Sequence, residues 1–141
     1  MNKPDGFVSG HEKRGICGVM AIAVAASVRY DVAWNTLKQI MLDKGIGQRF
    51  RGGTYPSQQL EALSRLAVKY EVLNKCKGWK VWEFAALASE TDKLYMITYK
   101  GHIFCLKNGM ILDQGYDGPV QNWHNRNKRI TRIVEITGKG W

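Results

Sequence analysis

Apolar positions change their spacing along this chain of 141 residues, from helical periods in the first two thirds to strict alternation in the last. From Cys17 the run Cys-Gly-Val-Met-Ala-Ile-Ala-Val-Ala-Ala-Ser is small and apolar nearly all round, which predicts a central helix enclosed by other elements. Asp31 is a suitable N-cap for a second helix, in which Val32, Trp34, Leu37, Ile40 and Met41 keep helical spacing until Gly45 stops it. The glycine-rich stretch from Gly45 to Thr54, with Arg49 and Arg51, has the chemistry of a surface loop and predicts a lip over a cleft. Pro56 starts a third helix whose apolar face, Leu60, Leu63, Leu66 and Ala67, runs to about Tyr70. A short strand over Glu71–Leu73 and a fourth helix over Val81–Ser89 follow.

After Lys93 the chain reads as strands. Leu94–Tyr99 and His102–Leu106 are rich in aromatic and β-branched residues, and Asn108-Gly109 before Met110–Asp113 is a strong hairpin signal. Ile130–Ile136 alternates as a last strand. The expected fold is α+β, with N-terminal helices packed on a C-terminal antiparallel sheet.

Composition narrows the picture. With 45% hydrophobic and 11% aromatic positions, residues 1–141 have the size and mix of a single domain with its own core. The longest apolar run, Ile16–Val28, is too short to span a bilayer, and no signal-peptide pattern precedes it, so the expected address is the cytoplasm with no membrane partner. Cys17, Cys76 and Cys105 are odd in number and lack CxxC spacing, which argues against a disulfide framework and a zinc knuckle; no metal or cofactor is expected. The formal net charge is +9, and residues 123–141 concentrate Arg126, Lys128, Arg129, Arg132 and Lys139 against Glu135 alone. With Trp123 and Trp141 near its ends, this basic segment has the ingredients of a nucleic-acid contact, and equally those of a solvated sheet face.

Chemistry concentrates on one cysteine. Cys17 stands where a loop meets a helix start, and there unpaired backbone N–H groups and the helix dipole favour the thiolate, the nucleophilic form. A nucleophilic Cys needs a base, and the base needs an orienting group. With Asn108-Gly109 as a two-residue turn, Leu106 faces Ile111 and Cys105 faces Leu112, so His102, Phe104, Leu106, Ile111 and Asp113 share one sheet face. His102 and Asp113 become diagonal neighbours within side-chain reach. A central helix with its N-terminus against that face would complete a Cys17–His102–Asp113 triad. Cys105 points away from it, and Cys76 lies in a loop between Lys75 and Lys77; both read as structural. Asp117, between Gly115 and Gly118, reads as a turn residue, and His124 as a solvated one.

These residues resemble a known family. Cys17-Gly-Val-Met-Ala at a helix start, Gly101-His102-Ile-Phe-Cys-Leu, and Ile111-Leu-Asp113-Gln-Gly-Tyr-Asp-Gly118 are similar to the papain-like cysteine peptidases, nearest to the bacteriocin leader-peptidase type and to small phage-encoded proteins of the same pattern. The likeness covers roughly residues 11–118. It implies a papain-like fold, Cys17, His102 and Asp113 as catalytic residues, and a peptide or protein substrate; for a phage-encoded member the address is the host cytoplasm. The family's oxyanion-hole Gln, six residues before the nucleophile, is here His11, which offers a donor beside the Cys17 N–H; its usual Asp before the Cys is Ile16. Three readings follow: a cysteine hydrolase acting on a peptide or related amide bond; an inactive binding protein of this fold that engages a host protein or nucleic acid through its basic surface; and transglutaminase- or acetyltransferase-like acyl transfer.

Overall fold

The structure, a computed structural model, describes residues 2–7, 16–45 and 50–139. Four helices, α1 (Cys17–Ala26), α2 (Tyr30–Asp43), α3 (Pro56–Arg65) and α4 (Val81–Ala88), accompany six strands: β1 (Val68–Leu73), β2 (Leu94–Tyr99), β3 (His102–Lys107), β4 (Met110–Asp113), β5 (Tyr116–Pro119) and β6 (Arg132–Lys139). Every strand pairing is antiparallel, in the order β1-β6-β2-β3-β4-β5. The fold is therefore α+β, as the change of periodicity predicts. No single helix among the described residues is long and apolar enough to cross a membrane.

The hairpin register is the expected one: Lys107 faces Met110, Leu106 faces Ile111, and Cys105 faces Leu112. Asn108 (φ 51°) and Gly109 (φ 74°) take the paired left-handed conformations of a type I′ turn, whose twist matches that of the flanking strands. A second turn of the same kind, Lys100 (φ 46°) and Gly101 (φ 80°), joins β2 to β3 and sets Tyr99 opposite His102.

Three local expectations need correction. Asp31 lies in the first turn of α2 rather than at its N-cap, which is Arg29; there its carboxylate accepts a 3.0 Å bond from the Arg29 guanidinium and complements the helix dipole. The third helix ends at Arg65, because Ala67 turns through a positive φ of 59° and Val68–Leu73 pairs along β6, a ladder that outweighs the continuing apolar spacing. Residues 116–119 form a strand paired with β4, not a turn. Its Gly118 and Pro119 are tolerated because β5 is an edge strand, where a missing N–H costs little.

The sheet has a core on each face. On one, the helices α1, α2 and α3 pack over Met96, Ile103, Cys105, Leu112 and Val134. On the other, α4 and the segment after β5 cover Tyr95, Ile97, Phe104, Leu106, Ile111 and Ile133 around a fully buried Trp123. The body of α1 thus lies on the Cys105 side, opposite the face expected from the hairpin. The small side chain of Ala21 lets the helix approach the strands closely, to the point that the Cys105 thiol donates to the Ala21 carbonyl at 3.6 Å.

Candidate active site

The position of Cys17 follows from how α1 runs along β3. Ala21 touches Cys105, and one turn earlier the Cys17 side chain meets the backbone of Ile103. Four helical residues advance about 6 Å and two strand residues about 6.6 Å, so helix and strand stay in step and their starts coincide. His102 opens β3 immediately after the tight turn at Gly101. The thiol arrives from the α1 side and the imidazole from the alternation that carries Phe104 and Leu106, and they meet at the end of the sheet rather than on one face.

The geometry joins all three residues. His102 Nε2 lies 2.6 Å from Asp113 Oδ1, a short charge-assisted bond, and the same oxygen accepts the Gln114 backbone N–H at 2.9 Å. Asp113 is buried, so its carboxylate is held by these partners and not by solvent. With Nε2 committed, Nδ1 is the ring nitrogen left for Cys17, which lies close enough to His102 for each group to shift the other's pKa.

Electrostatics follow from this chain of contacts. The bond to Asp113, then that to Cys17, raises the His102 pKa to about 10 against the opposing effect of burial. Burial opposes ionisation of the Cys17 thiol, yet its bonds to His102 and to the Ile103 backbone, with the imidazolium charge, bring its pKa below the ordinary value. Both shifts favour a thiolate–imidazolium pair. Cys105, wholly enclosed in the α1-side core, is pushed the other way by burial, and Cys76 is buried as well. Of the three cysteines only Cys17 is partly exposed.

Two features of the site go beyond the residues expected to form it. Tyr99, across the strand pair from His102 with ring centroids 5.4 Å apart, is pushed to about 12 first by burial and then by the negative charges of Asp113 and Cys17. The Lys100-Gly101 turn was its signal, because a two-residue turn there places Tyr99 beside the imidazole. The second feature is the lip. A Cβ added at Gly18 would collide with Thr54 Oγ1, and one added at Gly52 would lie 2.8 Å from Ile16 Cγ2, so residues 52–54 lie directly against the start of α1. Gln59 Nε2 donates to Thr54 Oγ1 at 2.9 Å, Phe50 packs on Trp34 at 4.6 Å, and Tyr55 stands 71% exposed beside them.

The remaining candidates separate from this site. His11 lies outside the described residues, as do Arg49 and Trp141. Asp117 is exposed on β5 opposite Leu112, and His124 is exposed. Among the described residues no group of three or more His, Cys, Asp or Glu side chains has the arrangement of a metal site. Trp123 is not a surface aromatic at the head of the basic segment: it is 0% exposed, packed against Phe104 at 4.7 Å and Tyr99 at 6.0 Å. Its indole is the largest apolar group available to fill the second core. No protein-family model, curated protein or solved structure matches this chain.

Proposed function

We propose that the protein is a papain-like cysteine hydrolase acting on a peptide or related amide bond. The observation that carries this reading is the 2.6 Å bond between the His102 imidazole and the buried Asp113 carboxylate, with the partly exposed Cys17 thiol near enough to the same ring for each to shift the other's pKa. Cys17 attacks the substrate carbonyl as the thiolate, forming a C–S bond and a tetrahedral oxyanion. The backbone N–H groups at the start of α1 are suited to receive that charge, since Ile16 at the N-cap supplies no side-chain acceptor to them. Collapse of the intermediate breaks the C–N bond, and the leaving amine takes the proton from the His102 imidazolium. The neutral imidazole then draws a proton from water, which attacks the thioester, and release of the acid restores thiolate and imidazolium. Asp113 holds the ring in place and stabilises its charge throughout.

The test compares thiols within one molecule. Iodoacetamide at pH 7, followed by peptide mass mapping, is expected to modify Cys17 at least about 100-fold faster than Cys76 or Cys105, because attack requires an accessible thiolate. His102→Ala is expected to remove most of that advantage, and to cut hydrolysis of a fluorogenic peptide mixture by about 100- to 10,000-fold. Equal rates at the three cysteines in the folded protein would overturn the reading.

A further inference from the structure

We propose that the face formed by α4 and residues 126–130 binds single-stranded nucleic acid, independently of the thiol site. Two segments distant in sequence are joined here. The Gly78 N–H donates to Ile130 O at 2.8 Å, Ile130 N–H to Trp79 O at 2.9 Å, Val81 N–H to Lys128 O at 3.1 Å and Trp82 N–H to Arg126 O at 3.1 Å. Their pairing brings the segment that holds Lys75, Lys77 and Lys80 beside the one that holds Arg126, Lys128 and Arg129.

These six cations are among the described basic residues that hold no carboxylate, as are Lys38, Arg51, Lys69, Lys100 and Lys107. Arg29, Lys44, Arg65 and Lys93 each hold a carboxylate within 3.5 Å or less, whereas none of the six forms an ion pair among the described residues. The nearest acid in sequence, Glu83, is turned to the Lys80 backbone N–H at 2.9 Å as a helix-capping group. Two of the guanidiniums are also fixed in place, Arg126 donating to Trp123 O at 3.1 Å and Arg129 to Gly78 O at 3.0 Å. Positive charge is thus concentrated, pre-positioned and not neutralised.

Aromatic surface lies within that charge. Trp79 is 39% and Trp82 44% exposed, a costly use of indole unless a partner covers it. Trp82 and Arg126 border a groove of about 540 Å³ whose floor includes Ala85 and Ala86. Indole faces interleaved with fixed cations match a strand that offers phosphates and unstacked bases together. A duplex, with its bases stacked inside, could use only the cations, and an acidic peptide would leave the flat indole faces without planar partners.

The experiment is fluorescence anisotropy with a labelled 20-nucleotide oligothymidylate, its duplex with oligoadenylate, and vesicles containing phosphatidylserine as competitors. Expected is preferential binding of the single strand, with affinity falling roughly 50- to 340-fold between 50 and 200 mM salt, as four to six phosphate contacts require. Trp79→Ala with Trp82→Ala is expected to weaken binding by roughly 5- to 100-fold per indole while leaving the salt dependence unchanged. Lys77→Gln with Arg129→Gln, changes of exposed charge, is expected to flatten the salt dependence. Duplex bound as well as single strand, vesicles bound in preference to either, or affinity indifferent to both sets of variants would overturn the proposal.

Discussion

The two faces of the sheet carry different kinds of chemistry, and the contrast lies in how each treats charge. On the α1 side, the described ion pairs tie Lys44 and Arg65 to Asp43 and Glu61, and the partly exposed thiol of Cys17 stands at the helix start. On the α4 side, six cations stand without carboxylate partners around two exposed indoles. Charge that is paired contributes to local order, whereas charge left unpaired is available to a ligand. The faces touch at one place, the beginning of β3, where Tyr99 and His102 lie beside Cys17. A change at that junction should be felt by the thiol, and a change elsewhere on the α4 side should not.

The largest effect is expected from Asp113→Asn, which keeps the shape of the side chain and removes its charge. The bond to Asp113 is the first cause of the raised His102 pKa, so its loss lowers the stability of the imidazolium and with it that of the Cys17 thiolate. In the parent, alkylation of Cys17 rises with pH as the thiol ionises, at a lower pH than an ordinary thiol, and His102 keeps its proton up to about pH 10. In the variant that rise moves to higher pH, and each unit of movement costs about tenfold in thiolate on the acid side. Peptide hydrolysis, which needs imidazolium to protonate the leaving group, should fall by about 100-fold or more. An unchanged alkylation profile would show that the carboxylate does not govern the pair, and would dissolve the junction on which the comparison rests.

Much of this junction was legible in the chain, and the illegible part has a definite cause. Asn108-Gly109 fixes a register by turn chemistry alone, so the hydrogen bond between His102 and Asp113 follows from counting residues on either side of it. The face chosen by α1 does not follow from the strands, because β3 is apolar on both sides: Ile103 and Cys105 on one, Phe104 and Leu106 on the other. A strand buried on both faces carries no alternation that tells a helix where to pack. The triad nevertheless assembles because His102 is terminal, where either side gives access. Trp123 misleads for a related reason, since its neighbours Gln121, Asn122, His124 and Asn125 are polar and a lone buried indole in a polar loop has no periodic signature. The aromatics that do reach the surface, Trp79 and Trp82, sit in sequence beside the buried Val81 and Phe84, so apolar spacing alone does not set them apart from core positions.

The second expected effect distinguishes the two cores. Trp123→Ala removes the centre of the α4-side cluster, where the indole contacts Phe104, Tyr99 and Tyr116, and should lower the unfolding free energy by about 3–5 kcal/mol in urea denaturation. Trp123→Phe should cost much less, since it retains the ring while removing an indole N–H that has no hydrogen-bond partner in its buried site. In the still-folded fraction, Cys17 alkylation should change less than in Asp113→Asn. An equal loss would mean that the two faces are mechanically one.

The smallest expected effect falls on the lip. Replacing glycine by alanine within a helix ordinarily stabilises it by roughly 0.5–1 kcal/mol, through reduced freedom of the unfolded chain. At Gly18 the new methyl group would occupy the space held by the Thr54 side chain, which Gln59 anchors from the far side. Overpacking of this kind costs about 1–3 kcal/mol, more than the helical gain, so Gly18→Ala should lower the melting temperature. The strain is relieved by moving residues 52–54 away from the start of α1, and because these residues border Cys17, alkylation of that thiol should change in rate while oligothymidylate binding on the other face stays as it was. Adding Thr54→Ala removes the colliding hydroxyl and should recover part of the lost stability. A Gly18→Ala protein that melts higher than the parent would mean that the lip does not rest on α1, and would leave the α1 side with an open helix start where the α4 side has a groove.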